Sequence, residues 1–445
     1  MAGMHRSARP SRFPLPYRLL LGLLLALVIA VSATWYLGAP RPPRPADTAG
    51  STSTETGGSS ADTGADAGAD AGADAGAPVA AATTPATATA QPGTADPTDA
   101  DRRISILAAG DVLVHPPVWE QALADGRNDR PDFAPIFAGL RPAVGGADLA
   151  LCHLETPLAP PGGPYQGYPS FAAPQEVLGG IRSAGYDGCS VASNHTLDQG
   201  YDGVVRTVDA VERAGLGHSG AYRNAAEAGR PTIYRIKQVP IAHLSYTESL
   251  NGLRPPPEAP WLVNRIDPER IRRDAAAARD AGAQIVIASL HWGTEYAHQP
   301  DDRQQEVARQ LAALGAVDLV VGHHAHAVQP VERVNGTWIA YGLGNQLARH
   351  AEPADANRDG AMIEASFAPS GRDGRWEVAG LRALPTFVEL DPRLRLIDLS
   401  RALADPALTD DQRRRYSAAL DRISGHLLGR GGARAGLEIA GDGSQ

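Results

Sequence analysis

Five short apolar runs, each ending in residues that can bind a metal, constrain this chain more than any other feature. ISILAAG (104–110) leads into Asp111, and DLALCHLE (148–155) closes on His153 and Glu155. YDGCSVASNH (186–195) closes on Asn194 and His195, IVIASLHWG (285–293) carries His291, and VDLVVGHHAH (317–326) carries His323, His324 and His326. Continuous apolar runs of this length predict strands buried on both faces, as in a parallel sheet covered by other layers. Helical patterns separate them. Val204, Val208 and Val211 share one face of 201–214, with Gly215 as a stop signal, and 267–282 and 301–315 follow the same grammar. The alternation predicts a layered α/β domain. Ligands bind such sheets beyond the carboxyl ends of the strands, and all five ends here carry Asp, Glu, Asn or His.

A single histidine at a strand end is ordinarily a hydrogen-bonded structural residue. Five successive strand ends bearing such residues point to a site instead. Imidazole plus carboxylate suits borderline divalent metals such as zinc, manganese or iron. The chain has two cysteines, too few for a thiolate-closed structural zinc site, so an open, hydrolytic centre is the expectation. A net charge of -9 disfavours a nucleic-acid partner. Cys152 and Cys189 fall on strands expected to be neighbours. A disulfide and a pair of small buried core residues are both open there, with the core reading favoured.

The N-terminal region reads differently. Residues 1–18 hold Arg6, Arg9, Arg12 and Arg18 and no acid, a basic cytoplasmic segment. Residues 19–37 are apolar apart from Ser32 and Thr34, and at ~1.5 Å per residue they approach the ~30 Å hydrocarbon core. The flanking arginines place the N-terminus inside, which predicts a single-pass signal-anchor with the rest of the chain extracellular. A signal peptide cleaved near Val31–Ala33 is the alternative. Residues 38–101 are rich in Ala, Asp, Gly, Thr and Pro, with no periodic apolar face, and read as a disordered tether. The catalytic domain is placed at 102–398, followed by a helical C-terminal extension over 399–445 whose last fifteen residues are expected to fray.

Six segments carry a resemblance to a known family. They are AAGDVLV (108–114), DLALCHLETPLA (148–159), ASNHTLDQGYDG (192–203), ASLHWGTEY (288–296), LVVGHHAHAVQPVE (319–332) and YGLGNQL (341–347). In that order they resemble the CapA family of poly-γ-glutamate capsule biosynthesis proteins, a branch of the calcineurin-type metallophosphatase fold. The resemblance implies a metallophosphatase-like layered sandwich, two packed β-sheets flanked by helices, with a dinuclear Mn, Zn or Fe centre at one edge. It implies Asp111, Glu155, Asn194, His291, His324 and His326 as metal ligands, with Glu155 bridging. His195 is implied to contact the scissile group or act as acid, with Asp198 orienting it or capping the next helix.

Two departures stand out. Metallophosphatases usually have Asp-x-His where this chain has Leu113, and CapA proteins usually have Asn where His153 stands. His115 and His153 are therefore further ligand candidates. Glu295 is a candidate proton acceptor or amine binder, and Asn345 a supporting group. The His324-x-His326 pair is expected to face one way on extended backbone, with His323 turned away as a core or supporting histidine. The Pro/Gly-rich segments 160–169 and 251–261 are expected to line the mouth of the site.

The functional expectation is metal-dependent hydrolysis or transfer on an anionic cell-envelope polymer, poly-γ-glutamate by resemblance, with capsule synthase subunits as further partners. A non-catalytic synthase subunit and a general metallophosphodiesterase are the alternatives.

Overall fold

Alternation along the apolar runs builds two sheets back to back. The computed structural model describes residues 103–350, 354–370 and 375–441, so the expected basic segment, signal-anchor and tether lie outside the described residues. Among the described residues no helix is long and apolar enough to cross a membrane. The first sheet sets β1 (Ile104–Val112), β2 (Leu149–Leu154), β3 (Gly188–Ser190) and β4 (Gly217–Ser219) side by side and parallel. The second runs β5 (Thr232–Ile236), β6 (Val239–Thr247), β7 (Ile285–His291), β8 (Leu319–His323), with β9 (Val331–Val334) at the edge beyond β10 (Thr337–Ala340). Its β6, β7, β8 and β10 are parallel. The chain then returns to the first sheet through β11 (Asn345–Leu347), β12 (Asp359–Pro369), β13 (Trp376–Glu389), β14 (Arg395–Asp398) and β15 (Leu437–Ile439). The layered α/β sandwich expected from the sequence is the fold observed.

The core follows the period of two. Ile104, Ile106 and Ala108 of β1, Leu149 and Leu151 of β2, Ile285 and Ile287 of β7, and Leu319 and Val321 of β8 meet between the sheets. The intervening Leu107, Ala109, Ala150 and Cys152 pack outward against helix residues Val177, Ile181, Val204 and Val208. On the other side Val286, Ala288 and Val320 pack against Ile271, Val307 and Leu311. Both faces are covered, so each run is continuously apolar. Each large aliphatic side chain buried this way contributes on the order of 1.5–3 kcal/mol.

The same parity continues past the apolar cluster and becomes chemistry. His153 and Glu155 follow Leu149 and Leu151, His291 follows Ile287, and His323 follows Val321; all four are buried. They occupy the carboxyl edge of the space between the sheets. Asp111 breaks the parity, since strict alternation would put it with Leu107 and Ala109. The β1–β2 pairing shifts register between Ala108 and Asp111, and this irregularity turns the carboxylate inward. Gly110 makes room for it: a Cβ there would lie 2.3 Å from the Gly344 carbonyl oxygen. That carbonyl accepts the Asp111 N–H at 2.9 Å.

Two expectations are corrected. Cys152 and Cys189 are register partners on β2 and β3, with Cα atoms 4.4 Å apart, and they form a disulfide rather than two free core thiols. Neighbouring strands could be guessed from the sequence, but not a register that puts the two side chains directly opposite. The frayed end is folded as far as Gly441. Leu437 enters the core, 437–439 pairs with β13, and helix Asp410–Leu427 packs Tyr416, Ile423 and Leu427 against the sheets.

Gly110→Ala is expected to cost ~1–3 kcal/mol by overpacking against the Gly344 backbone. Thermal melting of the full chain measures it. An unchanged midpoint would mean that β1 does not run this close to Gly344.

Candidate metal centre

Glu155 lies at the meeting point of two ligand groups. Asp111, Glu155 and His326 offer donor atoms within 4.8 Å of one another, and so do Glu155, His291 and His324. A third group, Asp111 with His153 and His323, lies alongside, and a fourth joins Glu295 to His324 and His326. Asn194 Oδ1 is 3.0 Å from His291 Nε2, which brings it to the second group. All six residues expected as ligands therefore converge.

The route by which they converge is not the expected one. β8 ends at His323, and His324 and His326 then adopt φ of 87° and 49°, in the left-handed region. A tight turn, not an extended strand, directs these two side chains inward. The His324 N–H donates to Asp111 Oδ2 at 3.0 Å, which ties the turn to β1. His323 stays on strand parity and faces inward too, with Nδ1 3.1 Å from Asp111 Oδ1. The expectation that His323 points away is thus corrected. The alternation of Leu319, Val321 and His323 was the signal that could have found it.

His153 is placed beside the centre, its ring stacked on His323 at 4.0 Å and its Nε2 2.9 Å from His291 Nδ1. Its Nδ1 shares a hydrogen bond of 2.8 Å with Ser190 Oγ, which sets the ring orientation.

The electrostatics fit a cation. Glu155 is 1% exposed, and neither of its carboxylate oxygens has a hydrogen-bond partner. His323 Nε2 and His324 Nδ1 are likewise buried without partners. Buried polar groups are nearly always paired, and an unpaired carboxylate is among the most costly. Burial pushes the Glu155 carboxyl up to about 7, against the pull of His326. Burial also acts on Asp111, but hydrogen bonds from His323 and His326 outweigh it and hold that carboxyl well below the usual range. Burial and neighbouring histidines keep His291 and His153 well below the usual imidazole range, in the neutral form that binds metals. Divalent metal held by Glu155 and His324 would supply the partner that these atoms lack. The donor set is all oxygen and imidazole nitrogen, as expected for Mn, Zn or Fe.

Around the centre, the supporting residues fall into place. His195 Nδ1 lies 2.8 Å from Asp198 Oδ2, which also accepts the Phe171 N–H at 2.8 Å. Asp198 orients His195 and does not cap the following helix, Gly200–Arg213, whose N-cap is Gln199. Asn345 Oδ1 is 2.9 Å from His326 Nδ1, while its Nδ2 donates to the Asn357 carbonyl at 2.8 Å. Asn345 therefore fixes how His326 is turned.

An open cavity of about 620 Å³ is lined by His195 and His326, and also by Glu295, Tyr296, Tyr168, His115, Arg349 and His350. His115 joins no ligand group; it lines this cavity instead. Arg349 and His350 had no motif to mark them. Gly167 and Tyr168 bring the 160–169 segment to the cavity wall. The 251–261 segment does not line it: Ala259 packs into the core and Trp261 sits 6.4 Å from Tyr201. Leu113 packs with Phe171 and Ala348 and contributes no ligand.

Full-length protein is expected to bind one to two divalent ions, and chelation should lower its melting temperature. His324→Ala/His326→Ala should lose that metal, read by elemental analysis of the purified chain. Equal metal content in wild type and the double variant would exclude the centre described above.

Part of this sequence is shared with known proteins. The relatives include the PGA biosynthesis protein CapA of Bacillus subtilis (strain 168), 33% identical over 205 residues, 45% of this chain and 52% of that protein. The capsule biosynthesis protein CapA of Bacillus anthracis is 29% identical over 179 residues, 39% of this chain and 43% of that protein. The chain thus spans about half the length of the curated relatives it matches. Among solved structures, the NAD nucleotidase of Haemophilus influenzae covers 76% of this chain, which covers 57% of it, at 10% identity and a TM-score of 0.41. An overlap that loose carries no argument about activity. The family model described as bacterial capsule synthesis protein PGA_cap matches residues 105–350. That stretch is more than half of the chain and contains every strand end that builds the centre, so the chain belongs to the bacterial capsule synthesis protein family PGA_cap.

Proposed function

We propose that this protein is a membrane-tethered, extracytoplasmic metal-dependent hydrolase or transferase that acts on an anionic cell-envelope polymer. Poly-γ-glutamate is the substrate favoured by kinship with relatives named for PGA and capsule biosynthesis. The single observation that carries the reading is Glu155, buried without a hydrogen-bond partner between two ligand groups, one of which includes His326 on the wall of an open cavity. A structural site would be closed; this one opens beside a histidine held by a carboxylate.

The residues divide the work. Asp111, Glu155, Asn194, His291, His324 and His326 would hold the ions, with His153 and His323 behind them. Bound divalent metal would polarise the scissile group and supply a nucleophile at neutral pH. Asp198 accepts the Nδ1–H of His195 in a hydrogen bond, which leaves Nε2 as the nitrogen that exchanges a proton with the reacting group: an acceptor in the neutral ring, and a donor to the leaving group once the ring has taken up a proton. Asn345 keeps His326 in its ligating orientation. Phe171 stands edge-on against His195 at 4.7 Å and limits its movement.

Two features support the location. Residues 19–37 have the length and flanking charge of a signal-anchor. The Cys152–Cys189 disulfide suits an oxidising compartment. A second reading, a non-catalytic metal-holding subunit of a polymer synthase, is favoured by Leu113, which is apolar where metallophosphatases supply an imidazole.

The test is turnover of poly-γ-glutamate and of a generic phosphodiester by metal-loaded full chain, beside His195→Ala. The variant should keep its metal and lose roughly 10²–10⁴ in kcat. Bound metal with no turnover of either substrate would sink the hydrolase reading and leave the synthase-subunit one. Turnover of the phosphodiester alone would point to a general phosphodiesterase. Cell fractionation provides a further check: the full chain should sediment with membranes, and a chain lacking 1–37 should stay in the soluble fraction.

A further inference from the structure

The cavity over the centre contains a cation that the proposed chemistry does not use. Arg349 lines it and has no acidic partner among the described residues. One of its amino groups donates to the His350 carbonyl, and the rest of the guanidinium has no protein acceptor among the described residues. Two imidazoles accompany it. The Arg349 backbone N–H donates to His115 Nδ1 at 3.3 Å, so the neutral His115 ring carries its proton on Nε2. Asn345 Nδ2 lies 3.3 Å from His350 Nε2, and its amide oxygen is committed to His326. Nε2 of His350 is therefore the acceptor, and Nδ1 carries the proton. The His115 and His350 rings stand 4.8 Å apart. Neither His115 Nε2 nor His350 Nδ1 has a protein partner among the described residues. The cavity wall thus gathers a guanidinium and two N–H groups, all donors, next to His326, whose ring is 5.6 Å from His350.

We propose that Arg349, His115 and His350 form an anion subsite that seats an oxyanion of the substrate beside the bond undergoing reaction. The proposal rests on the reading of the centre as a substrate site and names what that substrate must carry: a carboxylate or phosphate one arm's length from the scissile group. Planar guanidinium suits such groups because it offers paired donors. Overall charge makes a local cation necessary, since a chain of net charge -9 does not attract a polyanion by its general field. Tyr168 and Tyr296, 79% and 54% exposed, stand at the same cavity and would flank an apolar stem between charges. Glu295 lines the same cavity and groups with His324 and His326, so the one carboxylate on this wall among the described residues has the metal-ligating histidines beside it.

Calorimetric titration of the full chain, metal-loaded as purified, tests the subsite with three synthetic probes. They are a γ-linked glutamate tetramer, a glycerol phosphate tetramer and a neutral γ-linked glutamine tetramer. Wild type should prefer at least one anionic probe to the neutral one, and whichever responds identifies carboxylate or phosphate as the group recognised. Arg349→Gln should weaken that anionic probe by roughly tenfold or more, the scale of a charge-assisted hydrogen bond, with metal content and melting temperature unchanged. Arg349→Lys, which keeps the charge but not the fork, should fall between the two. Equal affinities in wild type and both variants, or no preference for an anion in wild type, would overturn the subsite. Arg349-dependent binding without turnover keeps the subsite and removes the hydrolase. Turnover with Arg349-independent binding does the reverse.

Discussion

A carboxylate buried without a hydrogen-bond partner is the constraint from which the rest of this structure follows. Glu155 sits between two sheets, with both oxygens unsatisfied and His291 and His326 within 3.9 and 3.5 Å of one of them. An isolated charge in such a place would cost more than most single interactions return. It becomes tolerable when donors that can hold a cation beside it are gathered from several directions. Strand ends of both sheets, the β8 turn and the β11 segment all contribute groups that converge on it. The arrangement explains why the polar residues lie at one edge of the sandwich and the apolar cluster behind them.

The supporting residues show how each imidazole is held in its working orientation. Asp198 fixes His195, Asn345 fixes His326, and Ser190 fixes His153, each through a single hydrogen bond. These partners come from segments packed against the same edge, and the cavity opens beside them. Arg349 and His350 lie just past β11, and they face that opening because Asn345 anchors the segment to His326.

Much of this was legible in the residues. The apolar runs announced buried parallel strands, and their polar ends marked the sheet edge where ligands collect. Asp111, Glu155, Asn194, His195, His291, His324 and His326 were found because their types suit a metal and their segments resemble a family. What misled was local geometry. The His-x-His spacing reads as extended backbone, but both residues take left-handed φ, so His323 and its two neighbours all face inward. The Cys152–Cys189 bond and the ordered C-terminal strand depended on register and on a late return to the first sheet, neither of which is written in local pattern.

Alternation along each run is written in the residues: it assigns them to two buried faces, and it puts the polar residues beyond Leu151 and Ile287, and His323 beyond Val321, on the face between the sheets. That follows from the two-residue period of a strand, which needs no knowledge of neighbours. Packing in three dimensions is what brings Asp111 to join them, because its direction comes from a register shift against β2 and from the close approach of Gly110 to Gly344. It alone also brought His115 to His350, 4.8 Å apart in space and on opposite sides of the second sheet in chain order. Contacts of that range are set by how sheets stack and turns close, where each position depends on partners that the chain supplies hundreds of residues away.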